Sequence, residues 1–183
     1  MEIRCVVTGQ NGSGKSVIVR KTPVEPVTLA LLPGYEFHRI WGSDSIPKLP
    51  SHGTPPPPPL YFPAKNGFRF GFFTIPPDVQ TDVGQIGTAA AIEELQQKLP
   101  GMVEVLDHPG MHTTDTVDFD VVVSGEVYLE LNDGAEVLLK VPLTAVFFLN
   151  FLSSPASPRS RAELDFLFPI RNRGKRPPAL LAL

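Results

Sequence analysis

Proline constrains this chain more than any other residue type. There are 21 prolines among 183 residues, and each fixes φ and removes a backbone donor. Long helices and central strands cannot run through them. They are densest in "SIPKLPSHGTPPPPPLYFPAKNG", so residues 43–66 read as loop, with the proline run in polyproline II. That run is a surface spacer in its ordinary reading, a stiff lid across a pocket mouth in a second, and an SH3-type ligand in a third. With helices made expensive, the remaining apolar segments are expected to be short strands, and the chain mainly β.

The amino-terminal stretch contains Gly9-Gln10-Asn11-Gly12-Ser13-Gly14-Lys15-Ser16, which matches the letters of a nucleotide-binding phosphate loop. That chemistry needs a helix directly after the loop, so that backbone N–H groups converge on phosphate. Here Val17, Ile18 and Val19 follow, then Pro23 and Pro26. β-branched residues and prolines predict instead a hairpin, with strands Ile3 to Thr8 and Ser16 to Arg20 around a glycine-rich turn. No nucleotide is expected.

Size and charge narrow the classes. The chain is 42% hydrophobic and carries 16 basic and 19 acidic residues, for a net charge of −3. That fits one domain with a sizeable core. No basic stripe with interleaved aromatics suggests nucleic-acid binding. No apolar run suggests a membrane span or a signal segment, and the expected compartment is cytoplasmic. The lone Cys5 has no disulfide partner in the chain and reads as a buried strand residue.

Further strands are expected at "PVTLALLPG", at "YEFHRIWG" with His38 and Trp41, and at "FRFGFFTIPP", where Phe68, Phe70 and Phe72 share one face. One helix stands out in "TAAAIEELQQKLPG". Thr88 caps it, Ile92, Leu95 and Leu99 share a face, Glu94 and Lys98 pair, and Pro100-Gly101 ends it. Strands resume in "MVEVLD" and "TVDFDVVVSGEVYLELNDGAEVLLK", with Asn132-Asp133-Gly134 as a tight turn. Short antiparallel strands with Gly and Pro at the corners indicate a sandwich or barrel, a jelly roll first among them.

Chemistry concentrates in "HPGMHTTDTVDFDVVVSG". Alternation places His112, Thr114, Thr116, Asp118 and Asp120 on one face and Val117, Phe119, Val121 and Val123 on the other. A polar row is ordinarily a solvated strand face, but inside a small barrel it lines a site. His38, with Arg39 and Trp41, either faces a pocket or caps a sheet edge, and His52 in the proline loop reads as exposed.

This stretch resembles the first motif of the cupin superfamily, G-x5-H-x-H-x3,4-E-x6-G. His112 falls on the first histidine, Thr114 on the second and Asp118 on the glutamate, with "FDVVVS" between Asp118 and Gly125. The resemblance implies a cupin-type jelly roll (a double-stranded β-helix) over residues 1–183. Residues 1–85 would give amino-terminal strands and the proline-rich loop, 86–100 the helix, 101–140 the core strands and 170–183 the final strand. It also implies a divalent metal, iron, manganese or zinc, held by His112 and Asp118. Where the second cupin motif is expected, the chain reads "VPLTAVFFLNFLSSPASPRSRAELDFLFP" without its histidine. Residues 141–169 are therefore read as an atypical insert resembling an unspliced segment.

More narrowly, "EPVTLALLPGYEFHRIWG", "FRFGFFTIPPD" and "PGMHTTDTVDF" resemble small cupin-domain oxidoreductases of fungal polyketide clusters of the salicylaldehyde type. This implies an enzyme of secondary metabolism acting on a hydrophobic polyketide-derived small molecule, with no nucleic-acid or membrane partner and with pairing as a homodimer. Two alternatives stand beside it. One is a metal-free cupin that binds a small molecule or acts as a cyclase or isomerase, with His38 and Asp118 as acid and base. The other is a degenerate or mis-spliced relative without function.

Overall fold

Among the described residues of the computed structural model, runs of β-branched and aromatic residues between prolines and glycines form twelve strands and one α-helix. It describes residues 2–30, 32–49, 53, 60–77, 88–108, 111–112, 116–130, 135–141, 145–149, 170–171 and 179–182. The strands are β1 (Arg4–Gln10), β2 (Ser16–Pro23), β3 (Glu36–Ser43), β4 (Phe68–Ile75), β5 (Leu106–His108), β6 (Met111–His112), β7 (Val117–Ser124), β8 (Glu126–Glu130), β9 (Glu136–Lys140), β10 (Ala145–Leu149), β11 (Ile170–Arg171) and β12 (Ala179–Ala182), and the helix is α1 (Ala89–Lys98). His52, the prolines at 55–59, the turn at 132–134 and most of the 141–169 insert lie outside the described residues.

The protein is mainly β. All strand pairs are antiparallel, in a five-stranded sheet ordered β10-β7-β12-β4-β3, a three-stranded sheet β11-β8-β9, and the pairs β1-β2 and β5-β6. Among the described residues these sheets do not join into a closed barrel. Gly125, at φ 77°, turns the chain from β7 of the larger sheet into β8 of the smaller.

One apolar cluster joins these layers. Phe37, Phe73, Ile75 and Val122 come from the five-stranded sheet, and Val127, Leu129 and Leu139 from the three-stranded one. Leu95, Leu99 and Met102 enter from α1 and the turn behind it. At about 1.5–3 kcal/mol for each large side chain removed from water, this cluster is the principal stabilising term.

The first hairpin forms around the phosphate-loop letters. Asn11 Oδ1 accepts from the Ser13 and Lys15 amides at 3.1 and 2.9 Å, and Gly14 adopts φ 75°. β2 therefore occupies the place where a phosphate loop would begin its helix.

Helix α1 follows its sequence signals. The Thr88 hydroxyl accepts from the Ala91 amide at 3.3 Å, Leu95 and Leu99 are buried, and Gly101 leaves the helix at φ 88°. Ten residues are too few for a stable isolated helix. Two contacts stitch it to the neighbouring segment: Glu94 accepts from the Ala30 amide at 3.0 Å, and Lys98 Nζ donates to the Thr28 carbonyl at 2.8 Å.

Three segments depart from their sequence reading. "PVTLALLPG" makes only the isolated Val27–Phe37 bridge, because turns at Leu29–Leu32 and Leu32–Tyr35 bend it, and Leu29 and Leu32 enter the core from a loop. "MVEVLD" opens as a 3₁₀ turn at Val103–Val105 before reaching β5. In β4 the buried apolar side chains are Phe73 and Ile75, with Thr74 buried on the opposite face, while Phe68 and Phe70 are exposed. The core face of β4 is thus the one carrying Arg69 and Gly71. The insert itself contributes β10, which pairs along β7 from Val117 to Val121.

Candidate functional site

β7 is polarised opposite to an ordinary sheet strand. Val117, Phe119 and Val123 are 51%, 56% and 43% exposed, whereas Asp120 is 6% exposed and Val122 lies in the core. Alternation puts Asp118 on the same inward face as Asp120 and Val122. Of the polar row read from the sequence, Asp120 is buried and Thr116 and Asp118 are half-buried.

Register carries that face across the sheet. Val122 is opposite Leu181, Leu181 is opposite Phe73, and Phe73 is opposite Phe37. Arg39, two residues past Phe37 and opposite Gly71, shares the face. A Cβ on Gly71 would stand 2.7 Å from the His38 carbonyl oxygen, so glycine is what lets β3 approach there. Tyr61, just beyond the proline segment, packs edge-on against Phe37 with ring centroids 6.0 Å apart and lies under the Arg39 guanidinium at 5.9 Å.

Burial and proximity tune these groups. Desolvation, then the neighbouring Asp118 charge, push the Asp120 carboxyl up to about 7. Desolvation also raises Asp118, against a hydrogen bond from the Thr116 side chain. Tyr61 is raised by desolvation, Arg39 opposes the shift, and the fields of Asp120 and Asp118 reinforce it. Arg39 is lowered by desolvation and by Arg69. Asp120 Oδ1 is fully buried and has no hydrogen-bond partner among the described residues.

The arginines are engaged elsewhere. Arg39 Nη2 donates to the Leu60 carbonyl at 2.8 Å. Arg69 donates to the carbonyls of Leu60, Ser43, Phe68 and Phe62 and pairs with Asp44. Arg69 thereby clamps the segment that carries Tyr61 onto β3 and β4.

The site residues read from the sequence divide. Asp118 faces inward, beside Asp120. His38 is opposite Phe72, on the other face of the sheet from Phe73, and is 2% exposed. Its Nε2 meets Glu36 Oε2 at 3.2 Å and its Nδ1 meets the Val24 carbonyl at 3.4 Å, while Thr74 donates to the same Glu36 oxygen at 3.4 Å. The five-stranded sheet therefore stands between His38 and Asp118, and the structure does not bring that acid–base pair together. His38 is a buried histidine with both ring nitrogens partnered.

His112 lies in β6 opposite Leu106, and its side chain is outside the described residues, as is Thr114. No group of three or more histidine, cysteine or acidic side chains suited to a metal occurs among the described residues. Asp118 and Asp120 supply two oxygen donors there, short of the three protein ligands of a typical catalytic centre.

The sequence groups Arg39 with His38 at a pocket or a sheet edge, but neighbours on a strand face opposite ways and the two cannot share a pocket. Nothing in the sequence points to Tyr61, because the proline segment placing it has no period. The described residues contain no helix long and apolar enough to cross a membrane. Comparison with protein-family models and with curated proteins finds no match for this chain.

Proposed function

We propose that this chain is a cupin-like enzyme of jelly-roll type that transforms a hydrophobic, polyketide-derived small molecule by acid–base chemistry at Asp118 and Asp120. Chemistry of this kind makes it a cyclase or isomerase. The observation carrying this reading is the pair of inward carboxyl groups on β7, one of them buried with an unpartnered oxygen. Tyr61, Phe37 and Phe73 provide the apolar surroundings.

Two carboxyl groups of unequal burial suit proton transfer in both directions. The less buried Asp118, held by Thr116, takes a proton from the substrate as base. The deeper Asp120, neutral when protonated, returns a proton to the substrate oxygen as acid. The Tyr61 phenol stays protonated and offers a fixed donor to a developing oxyanion.

The experiment is to identify the compound that accumulates when the gene is deleted and assay its turnover by the purified protein. Asp118→Asn and Asp120→Asn are each expected to lower kcat about 100-fold or more, with no loss of signal on treatment with chelator. Either variant turning over at the wild-type rate overturns the reading. So does stoichiometric iron, zinc or manganese that is lost together with activity in His112→Ala, which would return the chain to the metal-dependent oxidoreductase class.

A further inference from the structure

We infer that the ligand of the Asp118–Asp120 site presents a cationic nitrogen on an aromatic or similarly broad apolar body, an arylmethylammonium being the simplest member of the class. This deepens the reading of that face as a substrate site and rests on it.

The inward titratable side chains of β7 are both acids, and no ion pair within the described residues includes either of them. The two nearby arginines already have acceptors: Arg39 at the Leu60 carbonyl, and Arg69 at four carbonyls and Asp44. Among the described residues no cation pairs with either acid. Asp120 Oδ1 is a buried acceptor without a donor, which costs free energy until something fills the role.

The chemistry ranks the ligand classes. A carboxylate ligand would gain the Tyr61 phenol as a donor but would meet two carboxyl groups. A neutral hydroxyl brings one donor and no charge. An ammonium brings three donors, enough to reach both acids, and makes charge-assisted bonds about twice as strong as neutral ones. Tyr61, half-buried and packed edge-on against Phe37, offers ring surface for the apolar body.

The test is to titrate the full chain with benzylamine, benzyl alcohol and benzoate, probes of nearly equal size carrying positive, neutral and negative groups, with heat as the readout. Benzylamine is expected to saturate, with benzyl alcohol at least tenfold weaker and benzoate silent. Asp120→Asn should weaken benzylamine at least tenfold, and Asp118→Asn serves as the second variant if the first does not fold. Benzyl alcohol or benzoate binding as tightly as benzylamine overturns the inference. So does benzylamine binding that is unchanged in both variants, or no saturation by roughly 10 mM. Turnover of a neutral substrate that is lost in Asp120→Asn, with benzylamine silent, rejects the cationic ligand while leaving the acid–base reading standing.

Discussion

Asp120 shows at a single residue what a site costs a fold. Its carboxyl is raised in the folded protein to about 7, above the roughly 3.9 of an unfolded chain. The folded state thus binds the proton more tightly than the unfolded state, and this contribution to stability is fully present below about pH 4. It is lost as pH rises towards 7, and it stays lost above that. The whole span corresponds to a few kcal/mol. Asp120→Asn, uncharged at every pH, is expected to match the wild type near pH 4 and to be more stable by about 2–4 kcal/mol near pH 8. Urea midpoints at the two pH values measure this, and a variant less stable than wild type at pH 8 contradicts it. The same substitution is expected to remove activity, so stability and function oppose each other at this position.

At the scale of elements, the helix was the most legible part of the chain. Cap, face, i,i+4 pair and stop are all local signals, and α1 obeys each of them. Thr88→Ala removes the hydroxyl that accepts from Ala91 and is expected to cost about 1 kcal/mol, measurable by chemical denaturation; an unchanged midpoint would mean the cap is idle. The hairpin was legible for the same reason, since glycines, β-branched residues and prolines settle it within twenty residues. Non-local facts were hidden. Nothing inside "FRFGFFTIPP" says which face of β4 meets the core, because Phe occurs on both; β12 and β3 decide it from far away in sequence. His38 was ambiguous until its neighbours were known, and β7 placed it across the sheet from Asp118. Alternation in β7 did relate Asp118 to Asp120 correctly, but which side was interior depended on the three-stranded sheet and α1.

For the whole molecule, the question is whether a chain with an interrupted pattern still folds as a unit. The cluster from Phe37 through Leu139 draws on both larger sheets, the helix and the loop at Leu29–Leu32. Residues 145–149 add β10 along β7. Shared burial of this kind predicts one cooperative thermal transition, identical by circular dichroism and by fluorescence of Trp41. Broad or probe-dependent melting would favour the degenerate relative over the enzyme.

The inverted polarity of β7 also bears on how this protein drifts over generations. On its outward side Val117, Phe119 and Val123 meet solvent, and any residue content in a strand can replace them at little cost. On its inward side Asp118 and Asp120 are the acids of the proposed site, a role that few other letters could fill. Lineages descended from this sequence would keep their acids and shuffle their apolar residues, so that a strand's most hydrophobic positions carry its least heritable information.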